Sequence, residues 1–253
     1  MKQIDINCDM GEGIGNEDSL LPFISSANIA CGYHAGDEDK MRRIIDLCLQ
    51  YDVAIGAHPS FPDKENFGRI AMKLPAGEIQ SIVFSQLNLL NNLAIAAGGK
   101  LHHVKPHGAL YNMAAKDPLL ARVIADAVKA FDSSLIYYGL SGSLMLDEAK
   151  KDGLQIAHEV FADRTYQPDG SLTPRNTPGA LLTNAEEVVL QVMQMISSDS
   201  VQAISGEEIS IKADTICIHG DGLHAVEFAR MINDRLHLEG IQIRKIERVQ
   251  ATL

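Results

Sequence analysis

No stretch of the sequence approaches the roughly 18 consecutive apolar residues that a membrane-crossing helix needs. The N-terminus, MKQIDINCDMGEG, reaches charged residues within a few positions and has no apolar core of a signal peptide. The expected compartment is therefore the cytoplasm. Basic residues are in deficit, 22 Lys and Arg against 33 Asp and Glu, and the formal net charge of -11 excludes non-specific attraction to nucleic acid or to an anionic membrane surface. Cysteine is scarce: the four residues, Cys8, Cys31, Cys48 and Cys217, have neither CxxC spacing nor the density of a secreted disulfide scaffold. Cys48 falls on an apolar helical stripe and is read as core. The phosphate-cradling pattern GxxxxGK[ST] is also missing, and DMGEGIG lacks the full GxGxxG spacing, so it reads as a tight glycine turn. That absence excludes a P-loop, not ATP.

What is present is alternation of strand and helix. With 253 residues, 46% of them hydrophobic, the chain can bury one full core, and a single domain over 1–253 is expected. Period-two runs predict strands at Gln3–Asn7, Ala27–Ala30, Val53–Ala57, Leu101–Lys105, Ser134–Tyr138, Leu154–Val160 and Asp214–His219, with an eighth candidate at Ile241–Ile246. Helical spacing follows most of them. Met41, Ile44, Ile45, Cys48 and Leu49 repeat at i, i+3, i+4, i+7 and i+8 behind Asp37 as N-cap, and Asp117-Pro118 supplies a cap and an N1 proline for a helix through Phe131. Strands alternating with helices specify βα units and a mostly parallel sheet, and seven or eight strands suit closure into a barrel. The Pro- and Gly-rich pieces at 59–68 and 166–179 read as long rim loops that act as lids.

Chemistry-bearing residues cluster just after these strands: Asn7-Cys8-Asp9 with Glu12, NIACGYHAGD to Asp37, GAHPS to Ser60, VKPHGALYN to Asn112, EVFADR to Arg164, and HGD at 219–221. In a βα-repeat protein, strand C-terminal ends share one rim, where active sites are built. Strand alternation sharpens the point. Asp5, Asn7 and Asp9 share one face of the first strand, opposite Ile4 and Ile6; His103, Lys105 and His107 form a second row, and Cys217, His219 and Asp221 a third. His102 points the other way, and His224 and His237 read as helix surface. Buried ionisable rows cost several kcal/mol per group unless paired, solvated or ion-bound, so a wet active-site mouth is the economical reading. A lysine beside histidines has reason to lower its pKa, which suits a base or an oxyanion clamp. The competing assignment of Lys105 is structural, paired with Asp9, Glu159 or Asp221. Glu159, Asp163 and Arg164 are expected to pair within a loop, with Arg164 able to grip a carboxylate bidentately.

The strings INCDMGEG, SANIACGYHAGD, IGAHPSFPD with FGR at 67–69, VKPHGALYN, EVFADRTYQPDGSLTPR and CIHGD resemble the LamB/YcsF family, in order, from residue 3 to about 229. Ile70 stands where a second Arg is usual, and Gly222-Leu223-His224 replaces a Thr-Pro-Gly type turn; both bear on nucleotide contacts at that rim. The resemblance implies an α/β fold, a seven-stranded (β/α) TIM-like barrel of the glycoside hydrolase/deacetylase type. It further implies a role as the A subunit of 5-oxoprolinase: ATP-dependent opening of 5-oxo-L-proline to L-glutamate with partner subunits B and C, with Mg accompanying ATP.

On that reading Asp9, Lys105, His107 and Asp221 are the catalytic candidates, and Asn7, Glu12, His34, His58, Glu159, Arg164 and His219 the substrate-binding ones. A water-activating base is sought among Asp9, His107 and Asp221, while Lys105 and Arg164 meet developing negative charge. Lys105→Met is then expected to abolish turnover in a folded protein. Two further readings stay open. The first is a divalent-metal deacetylase or amidohydrolase acting alone, with Asp9, His58 and His103 as candidate ligands for Zn, Mn or Mg; no tight HxxxH helix accompanies them. The second is a non-catalytic subunit that delivers substrate to a partner, for which no spare apolar stripe is found.

Overall fold

The computed structural model describes residues 2–220, 222 and 224–249. In chain order the elements are β1 (Gln3–Met10), α1 (Glu17–Leu20), β2 (Ser26–Ala30), α2 (Glu38–Tyr51), β3 (Ala54–His58), α3 (Ala76–Ala96), β4 (Leu101–Val104), α4 (Gly108–Ala114), α5 (Pro118–Phe131), β5 (Ile136–Leu140), α6 (Leu144–Lys151), β6 (Gln155–Phe161), α7 (Ala185–Ser198), a hairpin of β7 (Ser200–Gln202) and β8 (Glu208–Ser210), then β9 (Thr215–His219), α8 (Ala225–Leu238) and β10 (Gln242–Ile243). Strands β1 to β6 pair in sequence order, all parallel, and β9 closes the ring by pairing with both β6 and β1. The result is a seven-stranded parallel barrel. The eighth predicted strand shrinks to β10, which pairs with the start of β1 through Gln3 and Ile4 and stays outside the ring. The β7–β8 hairpin, six residues of mixed polarity, carried no readable period.

Caps and stripes form as the sequence dictates. Asp37 accepts from the Lys40 amide at the start of α2, and Asp117 accepts from Leu119 and Leu120 at the start of α5. Met41, Ile44, Ile45 and Cys48 turn inward from α2 and meet the outward face of the barrel, where Ile4, Ile6, Cys8 and Met10 of β1 are buried. Full burial of each large aliphatic contributes about 1.5–3 kcal/mol. Among the described residues no helix is long and apolar enough to cross a membrane.

The barrel interior is polar in layers. At the bottom, Asp5 accepts from Ser25 (2.6 Å), Ser26 (2.7 Å), Tyr138 (3.0 Å) and Thr215 (2.5 Å). Burial raises its pKa, against the lowering effect of those four hydroxyls. Above it Asn7 donates to Thr215, Asn28 donates to Asn7 and Asp9, and His103 Nε2 donates to Asn28 Oδ1 at 2.9 Å. Gly56 makes room for that imidazole: a Cβ there would stand 2.0 Å from His103 Nε2. Gly56→Ala is therefore expected to cost about 1–3 kcal/mol or more, the scale of core overpacking, read as a melting temperature lowered by several degrees. A variant as stable as the parent would show that the lumen can give way.

Candidate active site

Because all seven ring strands run parallel, their C-terminal ends deliver side chains to one mouth. Asp9 is next to last in β1, His58 ends β3, Lys105 and His107 follow β4 around Pro106, Glu159 lies near the end of β6, and His219 ends β9. Register aligns Asp9 with both Asn28 and His219.

Lys105 sits at the centre, 2% exposed. Its ammonium lies 2.8 Å from Asp9 Oδ1, 2.7 Å from Glu159 Oε1, 3.0 Å from Cys217 Sγ and 3.3 Å from Asn7 Oδ1. Burial works against the charge, but the Asp9 carboxylate, with Glu159, carries its pKa well above the usual lysine value. The sequence led to the opposite expectation, a lowered pKa; proximity to histidines is outweighed by two carboxylates at contact distance. With three hydrogens facing four acceptors, the ammonium has none to spare for an oxyanion. Asp9 is held well below the usual carboxylate range, since His58 and Lys105 outweigh its burial. Tyr111, on α4, donates to Glu159 Oε2 at 2.7 Å, and burial and that carboxylate push its hydroxyl well up.

Beside this pair lies a histidine cluster. His58 Nδ1 donates to the Lys105 carbonyl at 2.7 Å, and His107 Nε2 donates to the Phe67 carbonyl at 3.0 Å. The opposite nitrogens, His58 Nε2 and His107 Nδ1, face each other at 2.9 Å. Glu12 Oε1 lies 3.2 Å from both His34 Nε2 and His107 Nδ1, and His34 stacks on His107 at 3.8 Å. Burial pushes His34 down to about 4 and lowers His107, whereas Asp9 lifts His58 above its ordinary value despite burial. Burial would raise Glu12, but its contacts with His107 and His34 hold it low. Gly68, in the 59–68 loop, makes the close approach feasible: φ is +64°, and a Cβ there would lie 2.1 Å from Ser60 Oγ.

On the far side, His219 Nδ1 donates to both oxygens of Asp163, at 2.8 and 3.0 Å, leaving Nε2 for chemistry. The imidazole holds the Asp163 pKa below normal against the effect of burial. Phe161 stacks on His219 at 5.3 Å. Above the floor opens a cavity of about 680 Å³, lined by Asp9, Glu12, His58, Lys105, His107, Tyr111, Phe161 and His219 below, and by Arg69, Lys116, Arg164 and Arg175 around the walls. The volume lies within the range of small-molecule sites. Part of the 166–179 loop, Ser171 to Arg175, lines the cavity too.

Several assignments change place. Asn7, His34 and Glu159 do not line the cavity; they brace the residues that do. His103 is buried a layer below, lowered well beneath its usual pKa by burial, stacked on Tyr138 and bonded to Asn28, so it does not join Asp9 and His58 as a metal ligand. The expected Glu159–Asp163–Arg164 grouping does not form: Glu159 takes Lys105, Asp163 takes His219, and Arg164 donates to the carbonyls of Thr173 and Ala180. Arg164 is lowered to about 10 by burial and by Arg175, and staples the loop rather than standing free for a bidentate grip. Asp221 lies outside the described residues. Two groups of donors lie close enough to share an ion among the described residues, Glu12-His34-His58-His107 and Asp9-Cys217-His219. In the second, the Lys105 ammonium already stands against Asp9 and Cys217.

Residues 4–251 match the LamB/YcsF family. The chain belongs to the LamB/YcsF family. It is 51% identical over 249 residues to the A subunit of 5-oxoprolinase from Tolumonas auensis, covering 96% of this chain and 99% of that one. A lactam utilization protein from Thermus thermophilus superposes with a TM-score of 0.91 at 40% identity, covering 96% of this chain and all of that one. A family 4 carbohydrate esterase from Streptomyces lividans shares the fold, with a TM-score of 0.51 at 12% identity over 97% of this chain and 93% of that one.

For this LamB/YcsF chain, sequence reading left four cavity residues without a role. Tyr111 was within reach, four positions after His107 and so on the same face of α4. Arg69 and Arg175 lay inside the FGR and TPR strings, and Lys116 follows α4; nothing in their local pattern separates a cavity cation from a solvated one.

Proposed function

We propose that this chain is the lactam-opening A subunit of an ATP-dependent 5-oxoprolinase, working in the cytoplasm with partner subunits B and C. The observation that carries the reading is the His219–Asp163 couple, which spends one imidazole nitrogen on the carboxylate and leaves the other unspent on a residue that lines a cavity walled by cations. The names of two relatives, a 5-oxoprolinase A subunit and a lactam utilization protein, supply the substrate class.

A lactam is a poor electrophile. Transfer of the ATP γ-phosphoryl group to the lactam oxygen, with ADP leaving, makes the ring carbon a good one. Water then adds to that carbon, and His219 Nε2 takes its proton, with Asp163 fixing the tautomer and steadying the imidazolium. The ring C–N bond breaks as nitrogen gains a proton, leaving an acyl phosphate; a second water releases phosphate and L-glutamate. Asp9, ionised between Lys105 and His58, gives the floor a fixed negative charge that orients water and the ring N–H. His107 and Glu12 complete that floor. Lys105 holds Asp9 and Glu159 in place. Arg69, Lys116 and Arg175 meet substrate carboxylate and phosphate oxygens.

Glutamate release from 5-oxo-L-proline, measured with and without ATP, for the chain alone and with subunits B and C, tests the reading. Release that needs both ATP and the partners supports it. Deacetylation of an N-acetyl sugar by the chain alone would replace it. Within the same assay Arg175→Ala, at the exposed end of the cavity, is expected to raise KM for 5-oxo-L-proline or ATP roughly ten- to a hundredfold, since a hydrogen bond to a charged group contributes about 1.5–3 kcal/mol. Unchanged KM for both would remove Arg175 from the anion wall.

A further inference from the structure

We propose that Phe67 is a positioning residue for the anion wall of the cavity: a strained backbone conformation is kept there so that an aromatic ring can hold the Arg69 guanidinium in place. Three non-glycine residues among the described ones have positive φ. Asp52 and Asp199 directly follow α2 and α7, where a short polar residue enters the left-handed region readily. Phe67, with φ at +58°, is bulky, and no helix ends at it. Glycine or asparagine would hold that conformation with less strain. Such an outlier persists where its surroundings over-determine it, and its use is to be sought in what the residue touches.

Core packing does not account for it. Phe67 is half-buried and is neither in the clusters of buried apolar side chains nor packed against them. Its contacts belong to the site. The Phe67 carbonyl accepts from His107 Nε2 at 3.0 Å, and the next carbonyl, that of Gly68, accepts from the Ala109 amide at 2.9 Å. The turn is thereby fastened to the β4–α4 junction on both sides of Gly108, where a Cβ would come within 2.5 Å of the Gly68 oxygen. The ring stands edge-on to His34 and His107, with centroids 5.6 and 5.5 Å away at 82° and 75°. The central carbon of the Arg69 guanidinium lies 4.7 Å from the centre of the same ring. Arg69 is an exposed residue that lines the cavity. A cation within about 6 Å of an aromatic face is attracted by the ring's quadrupole, so the contact restricts the swing of a long, rotamer-rich side chain. Ordering Arg69 before an anion arrives removes a cost that would otherwise fall on binding. Asparagine or glycine would relax the backbone and lose the ring, and leucine would keep the bulk and lose the quadrupole. An aromatic residue in the left-handed turn serves both needs.

The proposal rests on the anion-binding role given to Arg69 in the proposed function, and not on lactam chemistry, so inorganic pyrophosphate serves as the probe. Isothermal titration calorimetry is run on the parent chain, Phe67→Leu, Phe67→Tyr, Phe67→Asn, Arg69→Ala and Phe67→Leu/Arg69→Ala, with melting temperatures reporting the fold. Phe67→Leu is expected to bind pyrophosphate about two- to fivefold more weakly, the range of a cation–π contact at an exposed site. Phe67→Tyr keeps the ring and should bind as the parent does. In the Arg69→Ala chain, adding Phe67→Leu should cost no further affinity, which a merely structural role would not produce. Phe67→Asn should bind as weakly as Phe67→Leu and melt no lower than it. Absence of saturable pyrophosphate binding by the parent, or binding by Arg69→Ala equal to the parent's, removes Arg69 from the anion wall and the proposal with it. Loss of affinity from Phe67→Leu that is equal with and without Arg69, or a Phe67→Asn chain that melts well below Phe67→Leu, overturns the positioning role alone and leaves the anion wall standing.

Discussion

Replacing Lys105 by Met is expected to remove about 3–5 kcal/mol of stability, the scale of breaking a buried ion pair by deleting one partner, as well as turnover in the assembled complex. The ammonium is the counter-charge of two buried carboxylates, Asp9 at 2.8 Å and Glu159 at 2.7 Å. Methionine fills the space of the stem and strands both anions in the lumen. Sequence reasoning alone led to an inactive but folded variant; the structure changes that expectation. The double variant Lys105→Met/Glu159→Gln removes one stranded charge and keeps the acceptor that Tyr111 uses. It should therefore be more stable than the single variant while remaining inactive. Urea denaturation of the parent and both variants gives the comparison. A single variant as stable as the parent, or a double variant less stable than the single, would mean that the lumen admits water and that the pairing contributes little.

Asp163→Asn is expected to lower kcat by about 10²–10⁴, the range a positioned general base contributes, with KM nearly unchanged. Asp163 accepts from His219 Nδ1 through both oxygens, so the carboxylate dictates which imidazole nitrogen carries the proton. An asparagine can offer its amide N–H to the same nitrogen, which favours the tautomer with Nε2 protonated and useless as a base. Steady-state kinetics on the assembled complex, set beside urea denaturation of the chain, separates positioning from packing: kcat should fall while stability stays near that of the parent. Equal losses in kcat and stability would make Asp163 a structural residue only.

Much of the barrel was legible because burial on the outer face of each strand demands apolar residues at period two, and β1 displays this cleanly: Ile4, Ile6 and Cys8 outward, Asp5, Asn7 and Asp9 inward. The rim was legible for the same reason, since parallel strands place their ends together. Pairing was not. Lys105 and Asp9 are 96 positions apart and His219 and Asp163 are 56 apart, and any inward carboxylate in the chain satisfied the sequence equally well. The depth of each residue was equally hidden. His103 shares a strand face with Lys105 and reads as its companion, yet it lies a layer lower because Gly56, on the neighbouring strand, leaves it a space. Arg164 reads as a free cation because backbone carbonyls, the acceptors it uses, leave no trace in a sequence. Glu12 and His34 lie in loops without a period, so only the folded rim shows that they converge on His107.

Bond cleavage, on this mechanism, takes place in the mouth of this barrel rather than in a partner. The direct measurement is the rate of glutamate release from 5-oxo-L-proline and ATP by complexes assembled with subunits B and C around either the parent chain or the His219→Gln chain, matched for assembly by size-exclusion chromatography. The mechanism predicts a rate at least about a hundredfold lower for the variant, the smaller end of what a general base contributes. An equal rate from equally assembled complexes would contradict it and would move the chemistry to one of the partners.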